Sequence, residues 1–143
     1  MSNKLKIVFG VLLATLSFVS LAEQKFVKGN WDIHYIAFPA TFIEPEVAKT
    51  YQLIRSKYKG IVNISVLDNK QKMKAQNSFV SGTAKNLLGQ SQKLNFKKVE
   101  EGEAIYYLSQ LDYNNEEIYN FVIKIQQGNR TETIKFSQKF YVD

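Results

Sequence analysis

From Gly60 onward, apolar residues recur at every second position rather than every third or fourth. Val62, Ile64 and Val66 share one parity, while Asn63 and Ser65 take the other. Tyr119, Phe121, Ile123 and Ile125 alternate in the same way with Asn120, Val122 and Lys124. Ile134, Phe136, Phe140 and Val142 share a parity broken only by Gln138. Successive side chains of an extended chain point to opposite faces, so this pattern predicts strands with one face buried. The β-branched and aromatic residues at the apolar positions suit such a surface.

Turn residues fall where hairpins need them. Asp68-Asn-Lys70 closes the strand from Gly60 to Leu67, Glu100-Glu101-Gly102 separates two more, and Gly128-Asn129 joins the last pair. Strands are expected over 29–37, 60–67, 73–83, 91–99, 103–112, 117–126 and 131–142. About seven strands with short turns predict an all-β fold, an antiparallel β-sandwich of immunoglobulin-like type. One segment departs from the pattern. Pro45 and Glu46 stand in what would be a first helical turn, and Val47 and Tyr51 lie four apart. They predict one short helix near 44–51, capping an end of the sandwich or leading into it. Leu53 to Lys59 then forms a basic connection to the strand that begins near Gly60.

The N-terminus sets the compartment. Lys4 and Lys6 precede an uncharged run from Ile7 to Leu21, and Ser20-Leu21-Ala22 puts small residues at the −3 and −1 positions of a cleavage site. Its 15 residues fall short of the roughly 20 that span a bilayer. Residues 1–22 are therefore read as a signal peptide cut after Ala22, and 23–143 as a single β-sandwich domain. No cysteine follows to carry a lipid anchor, and no second long apolar run follows to span a membrane. A cysteine-free, Lys- and Asn-rich exported chain points to a bacterial periplasm. The core must then be held by packing alone, and ten Phe and eight Tyr supply the area.

Without Lys4 and Lys6, 17 Lys and Arg remain against 13 Asp and Glu, a net charge of +4. The lysines run from Lys25 to Lys139, interspersed with acids, as on a solvated surface. They offer weak attraction to an anionic partner or membrane surface. Nucleic acid is not expected as a partner in that compartment.

Candidate sites are few. His34 is the only histidine, set in Trp31-Asp-Ile-His-Tyr-Ile-Ala37 with Asp32 on the same strand parity. A single histidine does not build a zinc or copper cage without other donors, so neither metal nor cofactor is expected. No cysteine and no Gly-x-Ser-x-Gly elbow is present to mark a nucleophile. The acids of Glu100-Glu101-x-Glu103 and Glu116-Glu117 fall at turns, where they solvate hairpins. Gly82 to Gln90 reads as a strand connection whose Asn86 and Gln90 either satisfy loop backbone groups or bind a ligand. Arg55, one of two arginines, suits a carboxylate: Glu44 or Glu46 within the chain, or an anionic ligand group.

Several strings resemble a family of bacterial periplasmic proteins known as domain of unknown function 4426. They are His34-Tyr35, Phe42-x-x-Pro45-Glu46-Val47-Ala48, Tyr51, Arg55-Ser56-Lys57 and Val62-Asn63-Ile64. Gly82-x-Ala84-x-Asn86-Leu87-x-Gly89-Gln90, Glu101-Gly102-x-Ala104-Ile105-Tyr106-Tyr107 and Phe136-x-Gln138-x-Phe140 continue the likeness over nearly the whole processed chain. The resemblance implies a secreted single-domain protein and brings no activity with it. The sequence thus points to a non-enzymatic binding module for an envelope or periplasmic protein. Its contact surface is expected around His34, Tyr35, Arg55, Lys57, Asn86 and Gln90. An envelope hydrolase and a carrier of a small apolar ligand between the sheets are the alternatives.

Overall fold

The computed structural model of the chain describes residues 24–142, and the expected signal peptide lies outside them. Among the described residues are ten strands: β1 (Gln24–Lys28), β2 (Trp31–Pro39), β3 (Lys59–Asp68), β4 (Lys74–Ala75), β5 (Phe79–Asn86), β6 (Ser91–Asn95), β7 (Lys97–Glu101), β8 (Ala104–Asp112), β9 (Glu117–Gln127) and β10 (Arg130–Phe140). All pairings are antiparallel. The first sheet runs β1-β2-β3-β8-β7, with β4 also on β3, and the second runs β10-β9-β5-β6. The order β2-β3-β8-β7 facing β10-β9-β5 is the A-B-E-D and G-F-C arrangement of the immunoglobulin sandwich, with β6 in the place of C′. The antiparallel sandwich is as expected.

Three expectations about individual strands need correction. Gly29 and Asn30 form a turn, so the expected strand 29–37 starts at Trp31, and the unanticipated β1 pairs with it from Lys28↔Trp31 to Gln24↔Tyr35. The expected strand 73–83 is two strands on different sheets. Lys72 and Met73 take left-handed backbone angles (φ 54° and 57°). The chain leaves the first sheet at Ala75 and enters the second at Phe79. The expected strand 91–99 is likewise divided at Phe96, where the chain crosses from β5 to β8 as its partner. The apolar parity shifts there too, from Leu94 and Phe96 to Val99.

The inter-sheet core follows the alternation. Ile33, Val62, Ile64 and Val66 of the first sheet meet Ala84, Leu94, Phe121, Ile123, Ile125 and Ile134 of the second. Gly60 and Gly82 leave room where the packing is tightest. A Cβ on Gly60 would come within 2.8 Å of the Phe140 ring, and one on Gly82 within 2.7 Å of the Val122 carbonyl oxygen.

A second core lies on the outer face of the first sheet. A 3-10 turn (Ala40–Phe42) leads to the short helix α1 (Pro45–Thr50). Ile43, Val47, Ala48 and Tyr51 of this segment pack on Ile36, Phe38, Ile61, Val99 and Leu108. The expected helix exists, and its role is to cover a sheet face. Ile36 and Phe38 of β2 are buried outward while Ile33 and Ala37 are buried inward, which explains the long apolar run in that strand.

Candidate functional site

The six residues singled out by sequence do not converge on one place, although Asn86 and Gln90 meet each other. His34 lies half-buried on the outer face of β2, between Lys25 of β1 and Ser65 of β3. Asp32 shares that face, held by Asn69 Nδ2 at 2.9 Å and Lys25 Nζ at 3.2 Å. These two donors keep its carboxyl below the usual range. Tyr35 points to the opposite face, stacked between Phe26 (centroids 5.1 Å) and Phe136 (4.3 Å). Its hydroxyl donates to Gln24 Oε1 at 2.7 Å.

Arg55 donates from Nε to the Ile43 carbonyl at 2.7 Å and from Nη2 to that of Thr41 at 3.3 Å. It thereby ties the cap to the connection that follows, using backbone carbonyls rather than Glu44 or Glu46. Lys57 is exposed, its ammonium 5.7 Å from the Tyr58 ring centroid. Asn86 and Gln90 do meet. Asn86 Nδ2 donates to Gln90 Oε1 and to Glu117 Oε2, each at 2.8 Å. Asn86 Oδ1 accepts from the backbone N–H groups of Leu88 and Gln90. The corner is closed on itself, and it holds Leu87 and Leu88 outward, 70% and 84% exposed.

Some buried polar groups lie on the capped side of the first sheet. The Tyr51 hydroxyl donates to the buried Glu101 carboxylate. Desolvation, reinforced by that carboxylate, holds the phenol well above its ordinary range. Lys97 Nζ donates to the Tyr51 carbonyl at 2.8 Å. Asn63, also buried, leaves Oδ1 without a partner among the described residues. Tyr51, Glu101 and Asn63 are buried there, while Lys97 is exposed. Next to the β7–β8 turn, a recess of about 620 Å³ is lined by Leu67, Ala75, Ala104 and Ile105, with Lys72 and Glu103 also at its wall.

The outer face of the second sheet has a different character. Strand parity puts Thr133, Lys135, Ser137 and Lys139 of β10 outward, with Asn120, Val122 and Lys124 of β9. Ser81, Thr83 and Lys85 of β5 and Ser91, Lys93 and Asn95 of β6 complete the face. In register, Lys135 stands against Val122, Val122 against Thr83, and Thr83 against Lys93. Five lysines therefore share this face, all exposed, and no acidic residue occurs at its positions. None of the five belongs to an ion pair among the described residues. Elsewhere, residues 23–143 set twelve Lys and Arg against thirteen Asp and Glu, so the net positive charge resides here. Nothing covers the face within the described chain. Sequence reasoning took these lysines as scattered. Each adjoins a core residue, such as Lys124 between Ile123 and Ile125, which marks it as outward-facing. Only the strand order shows that they share one face.

The fold and its faces define a small immunoglobulin-type module with one outer sheet face capped and the other open and basic. The family model for "Domain of unknown function (DUF4426)" matches residues 24–143, and the chain belongs to that family. A DUF4426 family protein from Pseudomonas aeruginosa PAO1 is 34% identical, with a TM-score of 0.75 over 85% of this chain and 96% of that one. FetP from uropathogenic Escherichia coli strain F11 shares the fold at lower identity. A copper-bound variant matches at 10% identity and TM-score 0.57, over 84% of this chain and 90% of that one. The as-isolated protein, expressed in the periplasm, matches at 11% and 0.57, over 82% and 93%. No curated protein matches the chain.

Proposed function

We propose that this domain is a non-enzymatic binding module of the bacterial periplasm that docks an anionic partner through the outer face of its second sheet. The observation that carries the reading is five exposed lysines on one sheet face without a single acid. A face of one sign raises the local concentration of oppositely charged partners and steers their approach. Serines, threonines and asparagines between the lysines add hydrogen-bonding groups suited to anionic oxygens. The leader-like N-terminus supports export. No helix among the described residues is long and apolar enough to cross a membrane.

The other readings draw less support. The space between the sheets is filled by tightly packed side chains, leaving little room for an apolar cargo. The copper is a property of the FetP variant. Among the described residues no three His, Cys, Asp or Glu come together in a way that could hold a metal.

Chromatography on immobilised dextran sulfate tests the reading. The wild-type protein is expected to be retained and to elute with salt. A Lys124→Gln/Lys135→Gln variant elutes at lower salt, whereas Lys49→Gln/Lys70→Gln, with the same change in net charge, elutes close to wild type. Equal shifts in the two variants reduce the interaction to overall charge and refute the assigned face.

A further inference from the structure

We infer that the anionic partner is a bilayer surface bearing anionic phospholipid headgroups, an inference that rests on the docking face proposed above. Two observations select a lipid surface over a soluble polyanion. The first is the spread of charge. Lys135 and Lys139 lie on β10, Lys124 on β9, Lys85 on β5 and Lys93 on β6, so every strand of the sheet contributes. With strands about 4.8 Å apart, the charges cover two dimensions. A single polymer chain follows one line across such an array, whereas a membrane surface meets all of it.

The second observation is apolar. Phe79 opens β5 on the same face, opposite Gln126 of β9, and is 67% exposed. Leu87 and Leu88 follow directly after the last residue of that strand and are 70% and 84% exposed. Large apolar side chains thus stand at both ends of β5, with Lys85 near one end. A hydrated polyanion offers such side chains no apolar phase. The boundary between headgroups and acyl chains does, while the lysine stems lie along it and their ammonium groups reach the phosphates. The corner built on Asn86 supports the same arrangement, because its hydrogen bonds fix the backbone that carries the two leucines outward.

Co-sedimentation with lipid vesicles tests this, using protein expressed from the full coding sequence and recovered after export. Wild type is expected to pellet with phosphatidylcholine vesicles that contain phosphatidylglycerol, not with phosphatidylcholine alone, and to be released by salt. Lys124→Gln/Lys135→Gln lowers the affinity about thirtyfold, from roughly fivefold per lysine at the surface. Phe79→Ala lowers it several-fold and leaves the salt dependence intact. Lys49→Gln/Lys70→Gln pellets like wild type, and circular dichroism confirms that every variant is folded. Retention on dextran sulfate without pelleting overturns the lipid assignment and leaves the docking face standing. Equal pelleting with and without phosphatidylglycerol, or equal loss in both double variants, also overturns it. Failure to bind either matrix removes both readings.

Discussion

The two sheets present their outer faces to very different surroundings. The first face is apolar along Ile36, Phe38, Ile61, Val99 and Leu108, and the segment through α1 covers it. The second has hydroxyls, amides and five lysines, and no part of the described chain covers it. One face adds to the core, and the other leaves its chemistry available. A small domain without cysteines gains from this division. A single inter-sheet layer supplies limited burial at this size, and the capped face adds a second apolar cluster while the open face remains free to bind.

If that contrast is right, equivalent truncations on the two faces should differ sharply. Ile61→Ala beneath the cap is expected to cost about 3 kcal/mol in urea denaturation, as for a fully buried aliphatic side chain. Thr83→Ala on the open face should change stability by less than about 0.5 kcal/mol. Comparable losses at both positions would mean that the open face is covered in solution, and the docking proposal would fail. Gly82→Ala tests the packing behind that face. Its Cβ would lie 2.7 Å from the Val122 carbonyl oxygen, a backbone atom with little freedom to move, so a loss of about 1–3 kcal/mol is expected. Wild-type stability at that substitution would indicate a looser sheet.

The smallest effects concern pH. The Tyr51 phenol is raised above its ordinary value of 10.0 by burial and by Glu101. The neutral phenol is therefore favoured in the folded state. Its contribution is full below pH 10 and declines as pH rises beyond that toward the folded value. Thermal melts should show a steeper alkaline decline in wild type than in Tyr51→Phe, and identical slopes would show that the phenol is not confined as described. Asp32 has the opposite sign. Asn69 and Lys25 hold its carboxyl low, so its contribution is present above the ordinary carboxylate range and is lost as pH falls through the folded value. Asp32→Asn should flatten the acid limb of the melting curve, and an unchanged limb would argue against the assigned partners.

Much of the fold was legible because alternation is a local property. Val62, Ile64 and Val66, or Phe121, Ile123 and Ile125, declare their strand and its buried side without reference to distant residues. The sheet changes were harder to see. Lys74 and Phe79 fall within one extended stretch, as do Leu94 and Val99, and periodicity does not register that the hydrogen-bonding partner has changed. The short helix was visible through Pro45, Val47 and Tyr51. Its place over a sheet face depended on β2 being apolar on both sides. Among the site candidates, Asn86 and Gln90, expected to satisfy loop backbone groups or bind a ligand, meet in one corner where Asn86 Oδ1 takes the backbone N–H groups and Gln90 bonds Asn86. Arg55 was matched to a carboxylate when it bonds two carbonyls, a choice set by where the chain passes rather than by residue type.

By itself, the sequence determined the class of this protein: extended segments, most with one buried side, and a core that must pack without covalent bridges. These follow from the order of apolar and polar residues over two to ten positions. The tertiary structure decided which strands lie side by side, and so which distant lysines share a face. Lys85, Lys93, Lys124, Lys135 and Lys139 converge only because β6, β5, β9 and β10 are neighbours in that order. Strand pairing is a contact between segments far apart in the chain, and the side-chain alternation within each segment carries no record of its partner.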